Sequence, residues 1–587
     1  MPAAAPIAVP PSSPIEPARS SDRHPGLIAL HPVALGVISG VMLWTAFPPA
    51  SWSWLGWIAL VPLFLLATSR RSRRSIYLGA FIGGLIFWLL ALNWILCIDA
   101  SAAVGWVVMA TVLALFWPIA IALARVGTIG LGLPGVVAIP IAWVALEYAR
   151  AHFFTGFPWY YLAHTQYRML PLIQVADFSG SLGLSLLMAG MNALFADAMI
   201  VPLLRPTPRG PRPTRAILVR AVPIAAALIL TAAYGAFRLG TARFTPGPRV
   251  ALLQSNLMQR VKMGKSGEEI YLNYLRLIEK ASASTPRPEL IVWPETAYPF
   301  GFVSLDPALP REAHERQVRE INAEAKAEYW GLDRNDMIHG QVDELKIPMM
   351  IGATTYDFRA AGLARYNSAI LVEPGKLATR SYHKIHLVPF GEYVPLLGVF
   401  PWIAGLGPYR NGYIPNLNFG PDPAWFDVGS TRYATAICFE DTVPQVVRRL
   451  IGEVPDGRTP DVLLNLSNDG WFATQDADGT TRGSSEHEMH LAVSAFRAVE
   501  HRIPLARAAN TGISAVIDGN GRVVESLPAA KEGVLIAAIP LDPRTGLSTI
   551  LGDWVGLGCL AVTVGLPFVK FGRSRFRRAK RPDIKAA

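Results

Sequence analysis

The stretch TRYATAICFEDT, residues 431–442, determines how the rest of the sequence is interpreted. Its β-branched and apolar run predicts a buried strand that ends at Cys438, and two carboxylates, Glu440 and Asp441, follow directly. A thiol at the end of a strand, where the chain turns, is placed as a nucleophile would be. Because a free cysteine is more often a small buried hydrophobic residue, this stretch alone leaves both interpretations open.

The composition is that of a membrane protein. Of the 587 residues, 51% are hydrophobic and only 17% are charged, which is unusual for a soluble domain. There are three cysteines, and Cys97 and Cys559 lie in long apolar runs, so a disulfide framework and a cysteine zinc site are not expected. The net charge of +11 comes from arginines beside apolar segments. This pattern predicts membrane orientation and argues against nucleic acid as a partner.

Long apolar runs predict eight membrane spans, since a helix needs about 20 residues to cross the hydrocarbon core of a bilayer. Residues 1–25 are rich in Pro, Ala and Ser, and we expect a disordered N-terminal tail. Residues 26–240 are expected to form a seven-span membrane domain, with an eighth transmembrane helix at 549–569 and a basic cytoplasmic tail over 570–587. The seven spans are predicted at roughly 27–46, 53–68, 76–96, 103–124, 127–147, 179–204 and 216–238.

The loop charges predict the orientation of these spans, because cytoplasmic loops carry an excess of Lys and Arg. With eight spans, four basic clusters fall on one side of the membrane. Both termini are therefore expected to be cytoplasmic, and the polar residues 246–545 extracytoplasmic. The clusters are Arg70, Arg71, Arg73 and Arg74; Arg125; Arg205, Arg209, Arg212 and Arg215; and Lys570, Arg573, Arg575, Arg577, Arg578 and Lys580.

An aromatic stretch, GFPWYY at 156–161, contains Trp159 and follows the fifth predicted span. Trp and Tyr favour the membrane interface, because their rings are apolar at one end and polar at the other. One interpretation is a plain aromatic belt. The alternative is that the stretch also borders a site where lipid reaches the polar domain.

Strand-like runs alternate with helix-like segments across residues 246–545, which we name the polar insert. This alternation predicts an α/β layered domain, and about 300 residues suffice for one large core. Strands are predicted at 250–256, 289–295, 348–356, 366–374, 431–438, 461–467, 504–510 and 514–519. Helices are predicted at 266–284, 311–329 and 485–502.

Four polar residues fall at or just after predicted strand ends: Glu295 in VWPETAYP, Lys384 and Glu392 in YHKIHLVPFGEYVP, and Cys438. Covalent acyl transfer needs a carboxylate to take a proton, a thiol to attack and a cation to hold the developing oxyanion. Taken singly, none of these motifs is specific, because each could be a strand-end cap, a surface lysine or a turn.

Taken in order, Glu, Lys, Glu and Cys resemble the catalytic set of the nitrilase superfamily, whose fold is an αββα sandwich. Joined to the membrane spans, the chain is similar to the apolipoprotein N-acyltransferase family from about residue 30 onward. The shared motifs also include FPP at 47–49, GFPW at 156–159, NLSNDGWF at 465–472 and RAANTGISAVID at 507–518. The resemblance implies an eight-span membrane helical bundle that carries a nitrilase-like αββα domain.

The resemblance also implies a role for each site residue. Glu295 would be the general base, and Cys438 would form a thioester with the acyl chain. Lys384 and the backbone N–H of Phe439 would stabilise the oxyanion. Glu392 would hold the lysine and the base in place, and Glu440 would be a supporting carboxylate.

The family resemblance implies a phospholipid acyl donor and, as acceptor, the α-amine of the diacylglyceryl cysteine of an apolipoprotein, with ping-pong kinetics. It implies a monomer in the bacterial inner membrane with a periplasmic catalytic domain. No cofactor is expected, and no metal either, because His383, His386, His487 and His490 lack a tight ligand set. Two alternatives remain open: a membrane-tethered amidase or nitrilase acting on a small amide or nitrile, and an inactive lipoprotein-binding scaffold.

Residues 396–415 form an apolar stretch rich in Gly and Pro, with Phe400, Trp402 and Ile403. It is expected either to act as a lid that dips toward lipid or to pack on its own domain. Two departures from the family pattern concern substrate positioning. Met263 stands where Trp is common, and Phe439 stands where Tyr is common.

Overall fold

The computed structural model describes residues 30–98, 101–204, 213–321, 324, 326, 329–377, 379–402 and 415–579. The predicted tail over 1–25 lies outside the described residues, as do 580–587 of the basic tail. Within the described residues, a helical bundle precedes the polar insert, and one further long helix follows it.

The bundle contains the apolar helices that the sequence predicts. Among the described residues, five helical segments are long and apolar enough to cross a membrane, and two shorter apolar helices accompany them. A membrane-spanning bundle is thus present, and the number of eight spans stays a prediction. The helices are α1 Pro32–Ala46, α2 Val61–Thr68, α3 Arg73–Ala91, α4 Ala102–Ala114, α5 Phe116–Arg125, α6 Gly135–His152, α7 Leu170–Ile173, α8 Ala176–Leu204 and α9 Pro213–Gly240.

The fourth predicted span ends later than expected. The helical run Ala102–Gly130 continues through Arg125, where the sequence predicts a loop. The chain turns at 131–134 instead, where Gly132 has a φ of +75° and Pro134 precedes the first turn of α6. Arg125 Nη1 donates to the carbonyl of Leu66 at 2.9 Å. Arg125 therefore still lies at the same end of the bundle as the arginine-rich loop before α3.

The polar insert contains two large β-sheets. One has the strand order β15-β1-β2-β4-β5-β6, with β3 paired to β4, and the other has the order β14-β13-β12-β9-β8-β7. The strands are β1 Thr245–Gln254, β2 Leu290–Val292, β3 Tyr298–Leu305, β4 Met349–Arg359, β5 Gly362–Val372, β6 Arg380–His383, β7 Trp425–Val428, β8 Thr431–Ile437, β9 Val462–Ser467, β10 Thr474–Gln475, β11 Thr481–Arg482, β12 Leu505–Ala509, β13 Ser514–Ile517, β14 Val523–Leu527 and β15 Gly533–Leu541.

Helices cover the outer face of each sheet. They are α11 Gly267–Ser282, α12 Arg311–Ile321, α13 Asp336–Leu345, α14 Pro444–Gly452 and α15 Ser485–His501. A further short helix, α10 Gln259–Met263, packs on the turn Asp469–Phe472 instead. All eight predicted strands of the insert and the predicted helices 266–284 and 485–502 are confirmed, with ends that shift by a few residues. The third predicted helix, 311–329, is confirmed over Arg311–Ile321, and its residues 322, 323, 325, 327 and 328 lie outside the described residues. The strands β3, β6, β7, β10, β11, β14 and β15 and the helices α10, α13 and α14 were not predicted.

The two faces of β1 show how the layers form. Val250 and Leu252 are buried in the cluster that includes the second sheet, whereas Ala251 and Leu253 are buried against residues of α11 and α13. Successive side chains of a strand point to opposite faces, so one continuous apolar strand serves both interfaces. With α14 and α15 on the far side of the second sheet, the layers are αββα, as expected.

The last helix begins later than predicted. A short helix, α16 Leu547–Leu551, is separated from α17 Trp554–Ala579 by Gly552, whose φ is +62°. A left-handed residue cannot continue an α-helix, and glycine adopts this conformation at low cost. The apolar span after the insert therefore starts at Trp554 rather than near residue 549.

The insert is bound to the bundle through α15. Arg502, directly after α15, donates from Nη2 to Asp177 Oδ2 at 2.6 Å and from Nη1 to Gln174 Oε1 at 2.7 Å. Near the end of α15, Glu500 Oε1 accepts a hydrogen bond from the backbone N–H of Ser181 at 2.9 Å. These side chains are all buried. Buried and paired charges fix the geometry of a contact, so the insert is held in one orientation on α8.

Candidate active site

Cys438 lies where β8 ends and a single 3₁₀ turn, Cys438–Thr442, begins. Its φ of +51° places it in the left-handed region, which costs a non-glycine residue of order 1 kcal/mol or more and is common at functional sites. Asn465 Nδ2 donates to the Cys438 carbonyl at 3.0 Å and stabilises this turn. The strand end thus presents a partly buried thiol, as the sequence predicts.

The surroundings of the Cys438 thiol disfavour its ionised form. Burial raises the pKa of Cys438 well above its usual value, and the negative charge of Glu295 raises it further. The Lys384 ammonium opposes both effects without overcoming them. A thiol in this state needs a base that removes its proton as it attacks.

Lys384 follows β6 and is almost completely enclosed, with 1% of its side chain exposed. Its Nζ lies 2.9 Å from Glu392 Oε2 and 3.3 Å from Glu295 Oε1. Burial alone would lower the pKa of Lys384, but the two carboxylates outweigh burial and raise that pKa above its usual value. The ammonium is therefore a permanent cation that also acts on Cys438.

Glu295 comes three residues after the end of β2. Its Oε1 accepts a hydrogen bond from Asn367 Nδ2 at 2.7 Å, and its Oε2 accepts one from the backbone N–H of Asn468 at 2.9 Å. The same Asn367 amide donates to Glu392 Oε1 at 2.7 Å. The amide thus bridges the two carboxylates on either side of Lys384, and the sequence analysis did not identify it.

Glu440 is a buried acceptor that holds two chain segments together. Its oxygens accept from the backbone N–H groups of Ile385 (2.8 Å), His386 (2.9 Å) and Ile437 (2.8 Å), and from the Tyr382 hydroxyl (2.9 Å). Burial raises the pKa of Glu440 to about 7. Because these donors lie on the segment that carries Lys384 and on β8, Glu440 fixes the lysine relative to the nucleophile.

Phe439 follows the nucleophile, and its ring stacks on His386 with centroids 5.9 Å apart. This contact orients the loop after Lys384. The role of the Phe439 backbone N–H as an oxyanion donor stays a prediction.

A buried cluster of charged groups lies behind the nucleophile turn and consists of Asp441, Asp469, Glu486, His490 and Arg507. Asp469, Glu486 and His490 bring potential metal-ligand atoms within 4.8 Å of one another. Arg507 Nη2, however, lies 2.5 Å from Asp469 Oδ2 and 2.8 Å from His490 Nδ1. A guanidinium therefore already supplies positive charge at this position. His490 Nε2 lies 2.7 Å from Asp441 Oδ1 on the other side of the ring.

The predicted lid and substrate residues lie in different environments. In the described part of the lid, Trp402 is 65% exposed and Phe400 is also exposed, whereas Ile403 lies outside the described residues. Met263 is 75% exposed at the end of α10. Trp159 is only 3% exposed, and its ring lies 5.4 Å from that of His490. The end of the GFPWYY stretch is therefore buried where the bundle meets the insert. Phe153, which precedes the stretch, is exposed.

The sequence contained one signal for Asn367. It interrupts the apolar run of β5 in YNSAILV, and a polar side chain buried in a strand is expected to have a hydrogen-bonding partner. Tyr382 gave no comparable signal, because a tyrosine in a short strand is common in protein cores.

Two family profiles match the chain. The profile described as apolipoprotein N-acyltransferase N-terminal domain matches residues 39–194, and the profile described as carbon-nitrogen hydrolase matches residues 249–545. Among solved structures, a CN-hydrolase superfamily protein from Xanthomonas campestris is 16% identical, with a TM-score of 0.32, and the match covers 54% of this chain and 97% of that one.

Curated relatives match almost the whole chain. The apolipoprotein N-acyltransferase of Geobacter metallireducens is 34% identical over 553 residues, which cover 92% of this chain and 95% of the relative. That of Rhodopirellula baltica is 28% identical over 583 residues, which cover 93% of this chain and 98% of the relative. The chain belongs to the apolipoprotein N-acyltransferase family.

Proposed function

We propose that this protein transfers an acyl chain from a membrane phospholipid, through a thioester on Cys438, to the α-amine of the N-terminal diacylglyceryl cysteine of an apolipoprotein. The observation that carries the proposal is the position of Lys384. Its buried ammonium lies 3.3 Å from Glu295 and 2.9 Å from Glu392, and its charge acts on Cys438. A base, a fixed cation and a thiol are thereby combined at one site.

In the first half-reaction, Glu295 takes the thiol proton while sulfur attacks the ester carbonyl of the phospholipid. Lys384 and the Phe439 N–H stabilise the tetrahedral oxyanion. When the intermediate collapses, the C–O bond breaks and the protonated Glu295 gives its proton to the leaving alkoxide. The products are a lysophospholipid and an acyl thioester on Cys438.

In the second half-reaction, the neutral α-amine of the acceptor attacks the thioester carbonyl. Glu295 takes the amine proton, the C–S bond breaks, and the leaving thiolate receives that proton. The acceptor then carries an amide, and Cys438 is again a thiol. Glu295 thus acts as base and then as acid in each half-reaction.

A lipid donor fits the placement of the insert. The insert rests on a membrane-spanning bundle through α15 and α8, and the lid presents exposed apolar side chains, among them Val399 and Trp402. We place the bundle in the bacterial inner membrane, with both termini cytoplasmic and the insert periplasmic. The basic loops support this orientation, because Arg125 and the loop before α3 lie at the same end of the bundle.

The two alternatives are not favoured. A hydrolase acting on a small amide has no need of the N-terminal domain, whose profile is that of an N-acyltransferase. An inactive scaffold has no need of a buried Lys384 paired with two carboxylates.

The test is mass spectrometry of the purified full-length protein mixed with phosphatidylethanolamine vesicles. We expect a mass increase of one acyl chain on the peptide that contains Cys438, removed by neutral hydroxylamine. Addition of a diacylglyceryl-cysteine peptide should discharge the adduct onto the peptide amine.

Two variants serve as controls. Cys438→Ala should abolish the adduct, whereas the double variant Cys97→Ala/Cys559→Ala should keep it, because those thiols lie in the helical bundle. Ammonia release from small amides without any adduct would support the hydrolase instead. An adduct on Cys97 or Cys559 alone would contradict the assignment of the nucleophile.

A further inference from the structure

A second lysine lies beside the general base. Lys262, on α10, directs its Nζ at the backbone carbonyl of Thr296, with which it forms a short hydrogen bond, and lies 3.4 Å from Thr296 Oγ1. Thr296 is the residue directly after Glu295. The ammonium is partly buried at this position, and Met263, which follows it, points into solvent.

The carbonyl that Lys262 contacts belongs to a strained turn. Thr296 has a φ of +46°, a region that a β-branched residue rarely occupies and that costs of order 1–3 kcal/mol. Such a conformation persists only where surrounding contacts hold it. The hydrogen bond from Lys262 is one of these contacts, and the direction of the Glu295 side chain depends on the backbone of this turn.

The second contact between α10 and the base runs through Asn468. The side chain of Asn468 donates to Gln259 Oε1 at 2.9 Å, and its backbone N–H donates to Glu295 Oε2 at 2.9 Å. Gln259 and Lys262 therefore contact the partners of Glu295 from two directions. A short helix that touches a catalytic carboxylate only through its neighbours is placed to position it.

The charges that face Lys262 are few. Glu295 is the carboxylate whose negative charge acts on it, and burial lowers the pKa of Lys262 to about 8 although Glu295 opposes this. On its own segment, Arg260 and Lys265 are exposed, and Lys265 pairs with Glu269 at 3.7 Å. From the turn that packs on α10, Asp469 is bound to Arg507. Beyond Glu295 lie Lys384 and Glu392, which pair with each other.

We propose that Lys262 is a positioning residue for the general base: it holds the Thr296 carbonyl so that Glu295 faces the site, and its positive charge acts on that carboxylate. This inference rests on the proposed function, because it assigns Lys262 to the proton-transfer step at Glu295. Lys384 differs from Lys262, because it pairs directly with two carboxylates and stays charged throughout.

The charge of Lys262 has a predictable effect on the pH dependence. A cation close to a carboxylate lowers the pKa of that carboxylate by about 1–3 units. Without the cation, Glu295 binds a proton at higher pH and is unavailable as a base over a wider acidic range. The acidic limb of the rate profile for thioester formation should therefore move to higher pH when the charge is removed.

The test measures single-turnover thioester formation on the full-length protein from about pH 5 to 9 in phosphatidylethanolamine vesicles. Lys262→Met removes both the hydrogen bond to Thr296 and the positive charge. Lys262→Gln keeps a hydrogen-bond donor for the Thr296 carbonyl without the charge, and Lys262→Arg keeps both the donor and the charge. We expect roughly a tenfold loss at neutral pH for the Met variant. In both uncharged variants, the acidic limb of the rate profile should move to higher pH by about one unit. In Lys262→Arg, it should lie at the wild-type position.

Lys265→Met is the matched control, because it makes the same change three residues along the chain at an exposed pair. It should leave the rate and the acidic limb unchanged. If both uncharged variants reacted more slowly but kept the wild-type acidic limb, the electrostatic role of Lys262 would be overturned. If the Met variant reacted at the wild-type rate, the role of the hydrogen bond to the Thr296 carbonyl would be overturned. If the wild-type protein itself formed no thioester, the proposed function would fail rather than the assignment of Lys262.

Discussion

Replacement of Glu392 by Gln tests whether Lys384 depends on two carboxylates. In the native site, Glu392 Oε2 accepts from Lys384 Nζ at 2.9 Å and from the Val388 N–H at 2.7 Å, while Oε1 accepts from Asn367 Nδ2 at 2.7 Å. These three donors, Lys384 Nζ, the Val388 N–H and Asn367 Nδ2, require both Glu392 oxygens to be acceptors. A glutamine amide therefore places its NH₂ group against a donor in either orientation.

The size of the effect follows from these distances. A pair of unit charges 2.9 Å apart attracts with about 6 kcal/mol at an effective dielectric constant of about 20. Relief of desolvation returns several kcal/mol of this when one charge is removed. We expect a net cost of about 2 kcal/mol, which corresponds to a rate loss of about thirtyfold if it falls on the transition state. The lysine would then pair more closely with Glu295, and both groups would be less available for the reaction.

The assay is single-turnover thioester formation, followed by the mass of the Cys438 peptide, together with thermal unfolding of the same samples in detergent. Glu373→Gln is the matched control, because Glu373 also pairs with a lysine, Lys376, at 2.8 Å, but at the surface. An exposed pair contributes about 0–1 kcal/mol, so the control should react at the wild-type rate. Thioester formation at the wild-type rate in Glu392→Gln would refute the reasoning that both carboxylates hold Lys384.

Two further substitutions test the supports of the site. Glu440→Gln should destabilise the protein by about 1–3 kcal/mol and slow thioester formation, because the new NH₂ group leaves a buried N–H donor such as that of Ile437 without an acceptor. Thermal unfolding midpoints measure this loss, and an unchanged midpoint would contradict the prediction. Arg502→Met should cost about 3 kcal/mol and expose the junction to protease, because it breaks a buried pair with Asp177. Asp177 also pairs with Arg238 at 2.8 Å, and the substitution leaves both of these residues in place. Protease resistance equal to that of the wild type would therefore show that the Arg238 pair alone holds the junction.

The sequence predicted interior strands and missed edge strands. The eight predicted strands are β1, β2, β4 and β5 of one sheet and β8, β9, β12 and β13 of the other, and each lies inside its sheet. Of the missed strands, β6, β7, β14 and β15 are the four edges of the two large sheets, β3 pairs only with β4, and β10 and β11 form a separate two-stranded sheet. An interior strand buried on both faces is a continuous apolar run that periodicity detects. An edge strand is short or partly exposed and lacks that signal.

In the membrane part, the sequence predicted the helices but not their ends. Hydropathy located the helices, because about 20 apolar residues are needed in any span, but it did not locate their ends. The chain continued as a helix through Arg125, broke at Gly132 and Gly552, and is kinked within α8 at Gly180; at all three glycines the backbone adopts a positive φ. Backbone conformation at a single residue is a local property that average hydropathy does not contain.

The sequence by itself determined the layered α/β insert, the apolar bundle and the motifs that carry Glu295, Lys384 and Cys438. Only the tertiary structure decided how these side chains meet. Asn367 bridges two carboxylates that lie 72 and 25 residues away along the chain, and Glu440 receives donors from a segment about 55 residues earlier. Burial follows from the alternation of residue types, whereas contact between distant strand ends depends on strand register and on how the two sheets pack.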